Sequence, residues 1–252
     1  MKRTKTFAAA VSSITALALL VGCTAPKDST SSQADDTSSS AEESVERPDL
    51  STALLTVDDL SGLTNEYGEF EEMQLGEMSS DAIIEGDPMC ADYLDDTYGA
   101  ESVAEARTAF RAEYEALAGD DPAYMFVLST VKEYADYSEA ATEFEALREV
   151  FASCKTFVYE SNEAEVTREV RNFDEAYEEL SLGDEALVLV MVESTWDINF
   201  TGEYGYVFTR VGKYVVMSGA FKSGLVTPID FRLMSTVTEG SVDRVNEYIA
   251  AN

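Results

Sequence analysis

Histidine is absent from these 252 residues, tryptophan occurs once and proline five times, and 17 lysines and arginines face 49 aspartates and glutamates. Each scarcity closes off a kind of chemistry. Without histidine there is no ordinary general base near neutral pH, no commonest zinc ligand and no nucleophile–histidine arrangement. With so few bases the chain cannot displace the counterions of a nucleic acid, and it has little to offer anionic lipid headgroups. The formal charge is −32, and becomes about −35 once Lys2, Arg3 and Lys5 leave with an export signal. Such acidity keeps an exported protein soluble. No glycine-rich phosphate loop and no Gly-x-Ser-x-Gly turn is present.

What is present begins with an address. Lys2, Arg3 and Lys5 form a positive start, and Phe7 to Val21 is apolar, rich in small residues and free of acids. This stretch falls short of the roughly 20 apolar residues of a spanning helix and is broken by Ser12, Ser13 and Thr15, so residues 1–22 read as an export signal. Leu20-Val21-Gly22-Cys23 resembles the lipobox of bacterial lipoproteins. That resemblance implies diacylglycerol on the Cys23 sulfur, cleavage before it, and acylation of the new amino group. The expected partner is therefore the membrane, held through a lipid anchor on Cys23 at the extracytoplasmic face of the cell membrane. Two or more acyl chains hold durably where one does not. Residues 23–49 contain no aromatic and are dominated by Ser, Thr, Asp, Glu and Ala, the composition of a disordered tether.

Residues 50–252 read as a single domain. Val57-Asp58-Asp59-Leu60 suggests a short helix with an acidic first turn, and Ala91–Asp95 another. Over 104–114 the pattern fits either strand or helix, and propensity favours helix. Tyr124–Tyr134 is rich in aromatic and β-branched residues and predicts a strand. Asp136 and Glu139 have capping-box spacing, and Ala140, Phe144, Leu147, Phe151 and Cys154 form one apolar stripe, so Asp136–Cys154 predicts a helix. The period then shortens to two. Thr156–Ser161 and Val166–Phe173 predict strands, and the apolar run Ala186–Val192 predicts a central one. Tyr206–Val211 and Lys213–Phe221 predict a hairpin around Gly212. Pro228 marks a helix start, after which Ile229, Leu233, Val237, Val242, Val245 and Ile249 line one face. Few crossovers and many hairpins point to an α+β fold, an antiparallel sheet with helices packed mainly on one face.

With Cys23 lipidated, Cys90 and Cys154 remain. In an exported domain this pair reads most simply as one disulfide, with two buried free thiols as the alternative. The order of several motifs now carries a family likeness: Ala53-Leu54-Leu55-Thr56-Val57-Asp58-Asp59-Leu60, a proline just before Cys90, the stretch from Ala140 through Cys154 to Phe157, then Leu182-Gly183-Asp184-Glu185 and Val207-Phe208-Thr209-Arg210-Val211-Gly212. The chain resembles actinobacterial lipoproteins with a sensor-like domain, related to the extracellular domain of the mycobacterial serine/threonine kinase PknH. The resemblance spans about 200 residues. It implies a twisted antiparallel sheet flanked by helices, a Cys90–Cys154 bridge, and a strand over 104–114. The chain departs from the kinase sensor in having cysteines for one bridge where that domain has two.

Candidate sites are few. Asp58-Asp59, Asp92 with Asp95-Asp96, and Asp120-Asp121 lack the spacing of a calcium loop and read as solvated acidic loops. No metal and no cofactor is expected. Trp196, Tyr204 and Tyr206, with Phe200 among them and Gly202 and Gly205 beside them, form the one aromatic-rich segment suited to a binding cleft. The sequence thus predicts a non-catalytic, sensor-type module for an extracellular small molecule or envelope protein. Alternatives are a lipid or glycolipid carrier, an envelope scaffold partner, and a histidine-free hydrolase built on a carboxylate pair.

Overall fold

Two-residue alternation, sustained through most of the domain, commits its backbone to strands, and the two stretches with a 3.6-residue stripe become its long helices. The computed structural model describes residues 48–74, 82–86, 90, 99–114, 123–161, 164–172, 182–195, 200–222 and 231–252, all within one compact unit, Glu46–Asn252. The signal, Cys23, the tether before residue 48, the helix expected at 91–95, Asp120-Asp121, Trp196, Pro228 and Ile229 lie outside the described residues.

Two short 3-10 turns open the domain, Leu50–Ala53 and Val57–Leu63, followed by one helical turn, α1 (Thr64–Tyr67). The strands are β1 (Phe70–Met73), β2 (Ala82–Glu85), β3 (Ala104–Tyr114), β4 (Ala123–Glu133), β5 (Thr156–Ser161), β6 (Ala164–Asn172), β7 (Glu185–Thr195), β8 (Phe200–Val211) and β9 (Tyr214–Lys222). Helix α2 (Tyr137–Ser153) lies between β4 and β5, and α3 (Phe231–Ala251) closes the chain. Among the described residues nine strands form one sheet in the order β1-β3-β4-β9-β8-β7-β6-β5-β2, every neighbour antiparallel. Nine chain steps from Met73 to Ala82 reach at most about 31 Å, whereas eight flat interstrand gaps of about 4.8 Å would separate the edges by about 38 Å. The sheet is therefore curled.

The expected α+β antiparallel architecture and the disulfide are both present. Cys90 and Cys154 are bridged, with Cα atoms 5.5 Å apart and both residues buried. Residues 104–114 are a strand, as the resemblance implied and against helix propensity. They pair with β4 along their whole length, and long-range pairing outweighs a weak local preference. Gly212 sits at φ 60° in the tight turn between β8 and β9, where an L side chain would be strained.

Most helical elements share one face of the sheet. Leu60, Leu63, Tyr67 and the α3 residues Leu233, Met234 and Val237 pack on Phe110, Met125, Val127, Val188 and Val207. Leu50, Ala53, Leu54, Val242, Val245 and Tyr248 continue that layer over Val131, Val211 and Val216. Helix α2 lies on the opposite face, where Phe144, Leu147 and Phe151 meet Leu187, Leu189, Met191, Phe208 and Val215. Consecutive residues of β7 thus serve different layers, and this double burial is what the uninterrupted run of that strand encodes.

The helix ends match their sequence signals with one change of partner. Asp136 Oδ1 accepts from the Ser138 and Glu139 amides at 2.8 and 3.0 Å, while Glu139 Oε2 accepts from Ala135 rather than Asp136. On α3 the expected stripe breaks at its end. Ile249 is 42% exposed and Tyr248 is buried instead, its hydroxyl donating to the Pro48 carbonyl at 3.1 Å. The entering chain needs a polar anchor at that point, which isoleucine cannot supply.

Candidate functional site

On the α2 face, residues of one parity along β8, β9 and β4 meet in register. Tyr204 stands opposite Phe221, and Phe221 opposite Phe126. Strand spacing brings cross-strand rings into contact. Tyr204 and Phe221 stack with centroids 4.2 Å apart and planes 12° apart, and Phe221 stacks on Phe126 at 5.6 Å. Two residues along β8, Tyr206 lies parallel to Tyr204 at 6.4 Å. Tyr206 leans over Gly219, where an added Cβ would come within 2.9 Å of its ring. Tyr124 extends the run from Phe126, and the Arg111 guanidinium lies 5.3 Å from the Tyr124 centroid. These rings are half-buried. Phe126 and Phe221 belong to none of the three core clusters, whereas Tyr204 and Tyr206 touch the edge of the cluster under α2.

A buried polar group lies beside Tyr204. Glu193 on β7, 5% exposed, stands opposite Arg168 of β6. Its Oε1 accepts from Tyr159 Oη and from Arg168 Nε, each at 2.7 Å, and Arg168 Nη2 also bonds the same carboxylate. Arg168 Nη2 donates to Tyr159 Oη at 3.0 Å, and the guanidinium lies over the rings of Tyr159 and Phe157. Tyr204 lies near enough to this group to feel the Glu193 charge. Burial first, then the nearby Glu193 charge, pushes the Tyr204 phenol far above the ordinary tyrosine range. A phenol held so firmly protonated is a hydrogen-bond donor, not a proton-transfer group.

Of the three aromatics singled out by sequence, the structure brings Tyr204 and Tyr206 together and Trp196 lies outside the described residues. Tyr159, Arg168, Glu193, Phe126 and Phe221 were missed. A signal for two of them existed. Arg168 falls between Val166 and Val170 on the inward parity of β6, and Glu193 continues the inward series Leu187, Leu189, Met191. A charge at an inward position is buried and must find a partner. Nothing in one sequence says that these two charges would face each other.

Elsewhere the polar clusters brace the fold. Arg210, almost wholly buried, bonds Asp184 at 3.2 Å, Glu185 at 2.6 Å and the Tyr137 hydroxyl at 2.9 Å. Arg244 of α3 grips both Asp59 oxygens at 2.9 Å, beside a groove of about 300 Å³ lined by Thr236, Glu239, Asp243 and Glu247. Among the described residues no group of three His, Cys, Asp or Glu side chains is arranged to hold a metal ion. Among the same residues, no helix is long and apolar enough to cross a membrane.

No protein-family model matches the chain, and no curated protein matches it. Among solved structures, a protein from Mycobacterium smegmatis, an ortholog of Rv0999, aligns at a TM-score of 0.33 and 13% identity over 76% of this chain and 95% of that one, too low to support an argument. The extracellular domain of PknH from Mycobacterium tuberculosis aligns at a TM-score of 0.50 and 12% identity, covering 78% of this chain and 94% of that one. At that identity the likeness establishes architecture, so the chain is similar in fold to the PknH extracellular domain.

Proposed function

We propose that the chain is a membrane-anchored extracytoplasmic lipoprotein whose domain is a non-catalytic binding module of the sensor type. Lipid on Cys23 holds it to the membrane, and residues 24–49 act as the tether. The observation that carries the reading is the half-buried aromatic column Tyr206–Tyr204–Phe221–Phe126, with the buried Arg168–Glu193–Tyr159 group beside Tyr204. Aromatic surface with a few oriented polar groups is the usual make-up of a ligand site. A buried ion pair is also rarely the most stable solution for a sheet face, which favours a role beyond stability. The extracellular placement of the PknH domain agrees with an exported chain. The firm Tyr204 proton and the missing histidine weigh against a hydrolase. The ligand is an extracellular small molecule or an envelope protein.

Two measurements test the two halves of this reading. Cys23→Ser should move the protein from the membrane fraction to the soluble fraction, and retention on the membrane refutes the anchor. Soluble envelope extracts and small-molecule pools should shift the aromatic-ring NMR signals of Phe126, Tyr204 and Phe221, and Tyr204→Ala should abolish the shift at the two phenylalanines. Binding that survives Tyr204→Ala places the site elsewhere. Turnover of a substrate overturns the non-catalytic assignment.

A further inference from the structure

Beneath α3 the core is divided in two. Leu233, Met234 and Val237 belong to one apolar cluster, Val242 and Val245 to another. On the strands below, the residues between the two clusters are hydroxylic. Thr108, Ser129 and Ser218 stand side by side on β3, β4 and β9, and Thr209 of β8 is the diagonal neighbour of Ser218. Ser129 falls between Val127 and Val131 of its strand and Thr209 between Val207 and Val211, so alternation turns both toward α3. From above, Ser241 Oγ comes 3.2 Å from Ser129 Oγ, and Thr238 donates to the Met234 carbonyl at 2.7 Å. Ser129, Thr209, Ser218, Thr238 and Ser241 are each 0% exposed.

Two of these hydroxyls are left over. Ser218 Oγ and Thr209 Oγ1 are buried and bond no group of the protein. Burying a hydroxyl without a partner is costly, and native proteins commonly join such groups through ordered water where several polar atoms converge. Four converge here. The Ser129–Ser241 bond is long for two hydroxyls, and both oxygens keep lone pairs to spare. Height explains why the row does not close on itself. Helix α3 runs unbroken over valines on either side of it, and the shorter serines between fall short of the helix. We infer that Ser218, Thr209 and the Ser129–Ser241 pair hold an ordered water molecule between the sheet and α3. This site lies on the face of the sheet opposite the aromatic column. It is walled by β4, β8, β9 and α3, so the water exchanges only when α3 lifts.

Oxygen-17 magnetic relaxation dispersion of the full chain in detergent tests this directly, because it registers water held longer than the protein tumbles. Ser218→Val fills the site with methyl groups and should lower the dispersion amplitude by the share of one water. Equal amplitudes in the native chain and a variant that circular dichroism shows to be folded overturn the inference. A thermal cycle of milder changes supplies the second measurement. Ser218→Ala and Thr209→Val each take a partner from the water, and each should lower the melting temperature by about 2–4 °C. Together they should lower it by less than the sum, since both act on the same molecule. Thr130 offers the comparison, its unbonded hydroxyl buried on the other face. Thr130→Val and Ser218→Ala should act additively. Single changes at Ser218 and Thr209 that leave the melting temperature unchanged or raise it mean that the hydroxyls are buried dry, and overturn the inference. So do losses at those two positions that simply add.

Discussion

At the scale of single residues, Glu193 and Arg168 deserve the first experiment, because their side chains are only 7% and 14% exposed and each compensates the other. Removing one partner takes the counter-charge from a buried charge, whereas replacing both with apolar groups removes the cost along with the benefit. Glu193→Ala should therefore lower unfolding free energy by about 3–5 kcal/mol, and the double change Glu193→Leu with Arg168→Met should recover most of it in urea titrations. Tyrosines offer a second handle. Burial, as the leading cause, raises the phenols of Tyr204, Tyr214 and Tyr248 above their ordinary value. A pKa raised on folding adds stability that is whole below the unfolded value, about 10 for tyrosine, and is lost as pH climbs past it. The melting temperature should fall above about pH 10, and Tyr204→Phe should flatten that fall.

At the scale of elements, the opening segment is strapped onto α3. Asp59 is the buckle: burial would raise its carboxyl, but hydrogen bonds from Arg244 and Thr56 outweigh this and hold it below the usual aspartate value. Arg244→Met should cost about 1–2 kcal/mol, between an exposed pair and a buried charged hydrogen bond. A carboxyl lowered on folding stabilises above its unfolded value and ceases to do so as pH falls through the folded one. The difference between Arg244→Met and the native chain should thus shrink in denaturation curves taken below about pH 4. How much of this was legible depends on where each signal resides. The α2 stripe and cap, β5 to its exact ends, and the hairpin at Gly212 follow from local period and turn chemistry. β3 was legible only through resemblance, since Ala106, Phe110 and Tyr114 fit a helix until β4 is placed beside them. β1 and β2 are four-residue edge strands, too short to show a period. Tyr204 and Tyr206 could be chosen from sequence as an aromatic cluster. The stacking of Tyr204 on Phe221, and the Glu193–Arg168 pair beyond, are products of register across distant strands.

For the whole molecule, the bridge between Cys90 and Cys154 determines how the α2 layer is tied to the rest. Cys154 caps α2, and Cys90 lies beyond β2, the strand at the far edge of the sheet. Helix α2 and the bridged Cys90 belong to the same buried cluster on one face, while two 3-10 turns, α1 and α3 share the opposite layer. The bridge closes a span of 64 residues, which in the chain-entropy view is worth about 4 kcal/mol by confining the unfolded chain. Because both cysteines are buried, reductant reaches them only after local opening. Dithiothreitol at neutral pH should leave the native circular dichroism unchanged for hours, yet lower the urea midpoint sharply when reduction precedes the titration. Cys90→Ala with Cys154→Ala should reproduce that loss, about 2–5 kcal/mol, without added reductant. Hydrogen exchange in this variant should speed up first in α2 and β5, with β4, β8 and β9 still protected. Uniform acceleration across the sheet would mean that the bridge confines the whole unfolded chain and does not fasten one layer.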